Sequence, residues 1–340
     1  AQAPNGDMLS CWLSGSDNEP STDNNVLMAR SKDKGRTWSE PKVFIPAGEM
    51  AGAVTILFST PDNRLIALGA HWPSEKHYTE WHWFRMESSD SGMTWSGPAR
   101  FVLHGNHASI CQGPVRLQNG EFLYPGQFFD ERPKPLVAPA ERLAHAKSEQ
   151  EALAMSAGEG RTGGKFSTHL HGCCVFIDPE REGKTFLEYG YIANRPLGLL
   201  ESTCVQLKDG RIVMLMRAEW GGFLWRAESS DNGRTWTEAW QTDIPNPTSL
   251  THLLRLPDGR IALIHNAVGG KVGERARRDP LSIWISDDET ETWSIKADVI
   301  HDGQLAYPNG MILDGRLVFV YDRDRRQVLF VEVDIPSRDH

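Results

Sequence analysis

Cysteine is scarce and badly placed for a framework: five in 340 residues, an odd number with no C-x-x-C spacing. That excludes a disulfide scaffold and a zinc ribbon, and it predicts that most of these thiols are buried as small hydrophobes. Long apolar runs are also missing. None reaches the roughly 18 residues of a membrane span, and the opening AQAPNGDML lacks the basic-then-apolar build of a signal peptide. Positive charge is in deficit, with 36 Lys and Arg against 45 Asp and Glu for a net charge of -9, which argues against nucleic acid or an anionic membrane as the main partner. There is no G-x-S-x-G, no Walker A loop and no G-x-G-x-x-G ahead of a helix, so α/β-hydrolase chemistry and phosphate cofactors are set aside. The one Asn-x-Thr, at Asn246-Pro247-Thr248, is blocked by its proline.

Tryptophan and glycine are plentiful, at 12 and 31 residues. Indoles bury large areas and need a partner for their N–H, so this many requires a structural reason. Two repeats supply one. The first is a tight-turn signature between apolar runs: APNGDML, TPDNRLI, LQNGEFL, LKDGRIV, LPDGRIA and ILDGRLV. Asn-Gly and Asp-Gly in this setting mark hairpin turns. Its Gly slots are Gly6, Asn63, Gly120, Gly210, Gly259 and Gly315, spaced by 57, 57, 90, 49 and 56 residues. Six copies therefore share one unit, and the long third interval carries an insertion.

The second repeat is S-x-D-x-G-x-T-W, at Ser31–Trp38, Ser88–Trp95 and Ser229–Trp236. SDDETETW is a weaker copy ending at Trp293, with Thr290 in the Gly slot, and EREGKTF ends at Phe186 without an Asp in the usual position. Strand, Gly turn, two strands, Asp-Gly turn and Trp strand make a four-stranded propeller blade. The expectation is an all-β, six-bladed β-propeller with four-stranded antiparallel blades, residues 1–340 forming a single domain. A helical insertion is predicted near residues 139–156, where APAERLAHAKSEQEALAMSAGEG places Leu143, Ala146, Leu153 and Ala154 near helical spacing among good helix formers. It reads as a decoration on one rim, a lid or an oligomer contact.

The second repeat resembles the Asp box, or BNR repeat, of the sialidase (neuraminidase) superfamily, and the whole chain resembles its bacterial members. The resemblance implies that the boxes are peripheral turn-closing elements: Asp and Ser/Thr close the turn and Trp packs between strands, so Asp33, Asp90 and Asp231 are structural. It implies chemistry elsewhere, where inner strands begin near Gln112, Glu201, Leu250 and Tyr307. ESTCVQLKDGRIVMLMR resembles the family segment with a Glu at the strand start and an Arg on the return strand, which assigns Glu201 and Arg217. AYPNGMILDGRL resembles the segment of the catalytic Tyr, giving Tyr307. RRDPLSIWISDD supplies Arg278, with Arg277 as the alternative one residue away. Asp23, or Asp17, in the first blade's loop is the expected acid/base.

These residues make chemical sense as a set. Guanidinium forks suit the carboxylate of a sialic acid. A neutral Tyr hydroxyl is not repelled by that anion as a carboxylate nucleophile would be, and with an ordinary pKa near 10 it requires a base, the role given to Glu201. The resemblance thus implies an exo-acting retaining glycosidase for a terminal sialic acid or related acidic sugar, without cofactor or metal. It also implies an exported, secreted or periplasmic setting. The family's first gripping arginine falls in a slot that would precede Ala1, so the first blade is expected to lack its N-terminal start.

Histidines frame the rival readings. His169 and His171 lie on one face of a strand by two-residue alternation, and His107 stands near another inner strand start. They allow a propeller lyase or rhamnosidase-type enzyme acting on a uronate-containing polysaccharide with a His acid/base, or a non-catalytic glycan-binding propeller. Trp81 and Trp83, in an aromatic loop, either stack on a sugar ring or pack against a neighbouring blade.

Overall fold

The computed structural model describes residues 1–15, 21–48, 51–72, 80–130, 170–193, 198–218, 222–269 and 276–335. Six sheets follow one another along the chain, one per sequence repeat. The first is β1 (Met8–Ser14), β2 (Asn25–Ser31) and β3 (Lys42–Ile45), and the second β4 (Ala51–Ser59), β5 (Leu65–Trp72), β6 (His82–Ser88) and β7 (Ala99–Phe101). The third holds β8 (Ala108–Ile110), β9 (Val115–Arg116), β10 (Phe122–Asp130), β11 (Leu170–Asp178) and β12 (Leu187–Ala193), ordered β12-β11-β10-β8 with β9 on β10. The fourth is β13 (Leu199–Gln206), β14 (Ile212–Ala218), β15 (Phe223–Ser229) and β16 (Trp240–Pro245). The fifth is β17 (His252–Arg255), β18 (Ile261–His265), β19 (Leu281–Ser286) and β20 (Ile295–Ile300), and the sixth β21 (Leu305–Leu313), β22 (Arg316–Arg323) and β23 (Gln327–Val333). The chain is an all-β six-bladed propeller of four-stranded antiparallel type, as its repeats predict. Three strands stand in the first sheet, where an isolated bridge pairs Gln2 with Met8, and three in the sixth. The stretch predicted as a helix, 139–156, lies outside the described residues.

By its internal contacts the chain divides into two compact units, Ala1–Gly126 with Val175–Tyr189 and Gln127–Cys174 with Gly190–His340. In the second unit the strands after the Gly turns of the fourth and fifth blades are buried on both faces. That is why IVMLMRA in β14 and IALIH in β18 read as unbroken apolar runs, buried at every position, while β20 alternates. In the second unit Val205, Val213 and Leu215 pack on Leu253, Ile261 and Leu263 of the next blade. In the first, Val26 and Ile45 pack on Ala67, Phe84 and Met86.

The Asp boxes share one hydrogen-bond pattern. In the first, Gly35 N–H donates to Ser31 Oγ at 2.8 Å, Thr37 N–H and Oγ1 donate to the Asp33 carboxylate at 2.8 and 2.6 Å, and Trp38 Nε1 donates to the Gly35 carbonyl at 3.0 Å. These bonds, the Thr37 hydroxyl foremost, hold the Asp33 carboxyl down at about 2. Gly35 needs its left-handed φ of 92° for this turn. The weak fifth box keeps the geometry, with Thr290 N–H donating to Ser286 Oγ at 2.8 Å, although Thr290 must hold a φ of 76° without being glycine. In the third box Pro179 fills the serine slot, and Asp178 just before it takes over as acceptor of Gly183 N–H at 2.7 Å.

Arginines on the strands that lead into the Asp boxes, β2, β6 and β15, reach into the next blade's box. Arg30 donates to the Ser91 carbonyl at 2.8 Å, Arg85 to the Glu182 carbonyl at 2.8 Å, and Arg226 to the Thr290 carbonyl at 3.0 Å. Each ties a turn of one blade to the middle of its neighbour.

Candidate active site

The starts of β13 and β21 break their ladders in the same way. Pairing with β14 jumps from Leu200↔Arg217 to Thr203↔Leu215, and pairing with β22 from Ala306↔Asp322 to Asn309↔Val320. Two residues then oppose one, which is a β-bulge, and a bulge re-aims its side chains. The first bulged residue in each case is left-handed: Glu201 at φ 44° and Tyr307 at φ 52°. Such a conformation costs a non-glycine residue of order 1–3 kcal/mol and persists only where the surroundings hold it. For Glu201 part of that hold is Gln127, whose Oε1 accepts the Glu201 backbone N–H at 3.0 Å.

The re-aimed side chains meet. Tyr307 Oη donates to Glu201 Oε1 at 3.3 Å, and Glu201 Oε2 accepts from Arg217 Nη1. Arg217 Nε donates to Thr248 Oγ1 at 2.9 Å, and Arg278 Nη2 donates to the Thr248 carbonyl, also at 2.9 Å. The Arg278 guanidinium lies over the Tyr307 ring, 5.5 Å from its centroid. Its segment is fixed by Leu305 N–H donating to the Arg278 carbonyl at 2.9 Å, and by buried Asn266, whose Nδ2 donates to the Pro280 and Leu305 carbonyls at 3.0 Å each. Asp322, opposite Ala306, has its carboxyl pushed up by burial, an effect the positive charge of Arg278 opposes.

Exposure separates the roles. Arg217 and Arg278 are 7% and 5% exposed, whereas Tyr307 is 37% exposed. The phenol is reachable from solvent, and the two cations behind it are largely desolvated. Buried guanidiniums favour an anion, which they bind in fork geometry. A phenol hydrogen-bonded to a carboxylate is a potential oxygen nucleophile with its base in place.

The BNR repeat-like domain model matches residues 6–320. The chain belongs to the BNR repeat-like domain family. Among solved structures, this BNR-repeat propeller is similar to the Hadza microbial sialidase Hz136, at 14% identity and a TM-score of 0.74 over 98% of this chain and 64% of that one. It is similar to the NanB sialidase of Streptococcus pneumoniae at 11% identity and a TM-score of 0.67, over 95% of this chain and 64% of that one. It is also similar to the intramolecular trans-sialidase of Ruminococcus gnavus, at 11% identity and a TM-score of 0.67 over 98% and 93% of the two chains. The chain thus spans under two thirds of the first two sialidases, and at these identities the likeness is one of fold. No curated protein matches it in sequence.

Of the residues expected at the site of this BNR-repeat propeller, Glu201, Arg217, Arg278 and Tyr307 come together in the second unit. Arg277 turns away, 60% exposed at its side chain and 3.2 Å from Asp279 Oδ2. Asp23 belongs to the first unit, exposed on the turn between β1 and β2, where its carbonyl accepts from Asn25 Nδ2 at 2.8 Å. Asp17 and His169 lie outside the described residues. His171 packs edge-on to Phe129 with centroids 4.8 Å apart, and His107 N–H donates to the His104 carbonyl at 3.0 Å. Trp81 and Trp83 are 3% and 1% exposed, and Trp83 Nε1 donates to the Ala108 carbonyl at 3.0 Å, so of their two expected roles the packing one holds. Among the described residues no three His, Cys, Asp or Glu gather as a metal site, and no helix is long and apolar enough to cross a membrane.

Thr248, Gln127 and Asn266 are the site residues that sequence reasoning missed. Thr248 was visible only as the end of a blocked Asn-Pro-Thr motif.

Proposed function

We propose that this chain is an exo-acting glycoside hydrolase of sialidase type, releasing a terminal sialic acid or related acidic sugar with retention of anomeric configuration. The observation that carries the reading is the hydrogen bond from Tyr307 to Glu201 beside two buried arginines. Arg217 and Arg278 hold the sugar carboxylate. Glu201 takes the phenolic proton as Tyr307 Oη attacks the anomeric carbon and the glycosidic C–O bond breaks. The departing oxygen needs a proton, for which the family resemblance names Asp23. Water then attacks the glycosyl–Tyr307 bond, its proton passing to the residue that acted as acid. The phenolate regains its proton from Glu201. Export to a secreted or periplasmic setting is part of the same proposal, since such substrates sit on extracellular glycans.

Release of 4-methylumbelliferone from its sialoside tests this. Wild type is expected to turn over, and Tyr307→Phe to lose at least about 10³-fold in kcat. Asp23→Asn is a separate arm for the leaving-group proton. A folded wild type without turnover, or a Tyr307→Phe variant as active as wild type, overturns the reading. His107→Ala and His169→Ala, assayed on a uronate polysaccharide, address the rival chemistry.

A further inference from the structure

Thr248 stands between the two guanidiniums and touches both, through its hydroxyl to Arg217 Nε and through its carbonyl to Arg278 Nη2. The contact to Arg278 needs the carbonyl turned inward. Thr248 achieves this at φ 57°, a left-handed conformation that is a genuine outlier for a β-branched residue. The surrounding turn enforces it: Ser249 N–H donates to Asn246 Oδ1, and Asn246 Nδ2 donates to the Ser249 carbonyl, both at 2.9 Å between buried residues. Strain held in place this way asks for a reason, and the reasoning runs from the outlier to a role.

We infer that Thr248 is a positioning residue that sets the spacing and tilt of Arg217 and Arg278, and so tunes recognition of the substrate's carboxylate rather than the chemical step. The inference rests on the proposed sialidase-type reading of this site. Planar guanidinium forks bind a carboxylate well only when correctly oriented. Arg217 is held from two sides, by Glu201 and by Thr248. Without the Thr248 hydroxyl, its Nε loses this acceptor and the fork loses one of the contacts that set its tilt. Because ground state and transition state both carry the carboxylate, the loss falls on KM and on ligand affinity.

The experiment compares Thr248→Val, which keeps the shape and removes the acceptor, with Thr248→Ser, which restores the hydroxyl, and Thr248→Gly, which relieves the backbone but lacks the hydroxyl. Hydrolysis of the 4-methylumbelliferyl sialoside gives KM and kcat, and calorimetric titration with free N-acetylneuraminic acid gives affinity without turnover. Thr248→Val and Thr248→Gly are expected to weaken KM and affinity about tenfold or more, the effect of one lost hydrogen bond to a charged group. Their kcat should stay within about threefold of wild type, and Thr248→Ser should match wild type. A merely structural role would give Thr248→Gly, freed of strain, wild-type affinity. Unchanged affinity in Thr248→Val, or a Thr248→Ser variant as weak as Thr248→Val, overturns the inference while leaving the reading intact. A wild type that neither binds the acid nor hydrolyses the sialoside overturns the reading and the inference with it.

Discussion

Tyr307 and Glu201, 106 positions apart in the chain, meet because each sits first in a bulge on an inner strand, and the phenol of one donates to the carboxylate of the other at 3.3 Å. Glu201→Gln keeps the side chain's shape, with its amide oxygen still able to accept from Arg217 and its NH2 able to donate to Tyr307 Oη, but it removes the proposed base. We expect kcat to fall about 10²–10⁴-fold with little change in melting temperature. Kinetics alongside thermal unfolding separate these effects, and an active, stable Glu201→Gln enzyme would remove Glu201 from the role of base.

Arg226 ties its blade to the next box through the Thr290 carbonyl. Arg226→Met keeps most of the apolar stem but loses both the donor to that carbonyl and the pairing with Glu228. A loss of roughly 1–3 kcal/mol in urea unfolding is expected. A variant as stable as wild type would show that the Arg226 contacts, the tie among them, contribute nothing net.

Thr290 fills a glycine slot at φ 76°, and its hydroxyl is buried without a hydrogen-bond partner. Thr290→Gly removes both costs and should raise stability by about 1 kcal/mol. The reverse change, Gly233→Thr at φ 86°, should destabilise by at least as much. Paired melting curves decide the matter, and a destabilised Thr290→Gly would mean that the buried threonine methyl outweighs the strain.

His265 is fully buried, edge-on to Trp284 with centroids 4.6 Å apart, and burial pushes its imidazole down from 6.5 to about 3. Its folded-state value is depressed, so below 6.5 the unfolded chain binds a proton that the folded chain refuses. Stability from this residue is complete above pH 6.5 and drains away as pH falls towards 3. Between pH 7 and about 4.5 the difference between wild type and His265→Phe should shift by roughly 2–3 kcal/mol in favour of the variant. Urea titrations at the two pH values measure it, and parallel pH profiles would refute it.

The parts of the molecule written in local chemistry were the readable ones. A glycine at φ 92° and an aspartate closing its own turn leave a motif of fixed spacing, so the boxes, the blade count and the positions of Glu201, Arg217, Arg278 and Tyr307 could be read from the chain through their resemblance. Features carried by the backbone or by a neighbour left no such trace. Thr248 holds Arg278 with a carbonyl that every residue possesses, and only its φ makes that carbonyl available. Arg277 and Arg278 are equivalent in composition and are separated only by which one faces Thr248. Trp81 and Trp83 looked available for a sugar because their burial depends on packing around β8 that no local pattern announces.

On the proposed reading, burial of Arg217 and Arg278 also sets how binding of an acidic sugar responds to salt. The net charge of -9 repels an acidic glycan at long range, where mobile ions screen strongly over about 10 Å at 0.1 M. The two guanidiniums act at contact distance and behind protein, where those ions reach poorly. Added salt therefore removes the repulsion and spares the attraction. Stopped-flow association of an acidic sugar should quicken as ionic strength rises, with its dissociation rate nearly constant. A protein that attracts its anion by an exposed basic surface would slow instead.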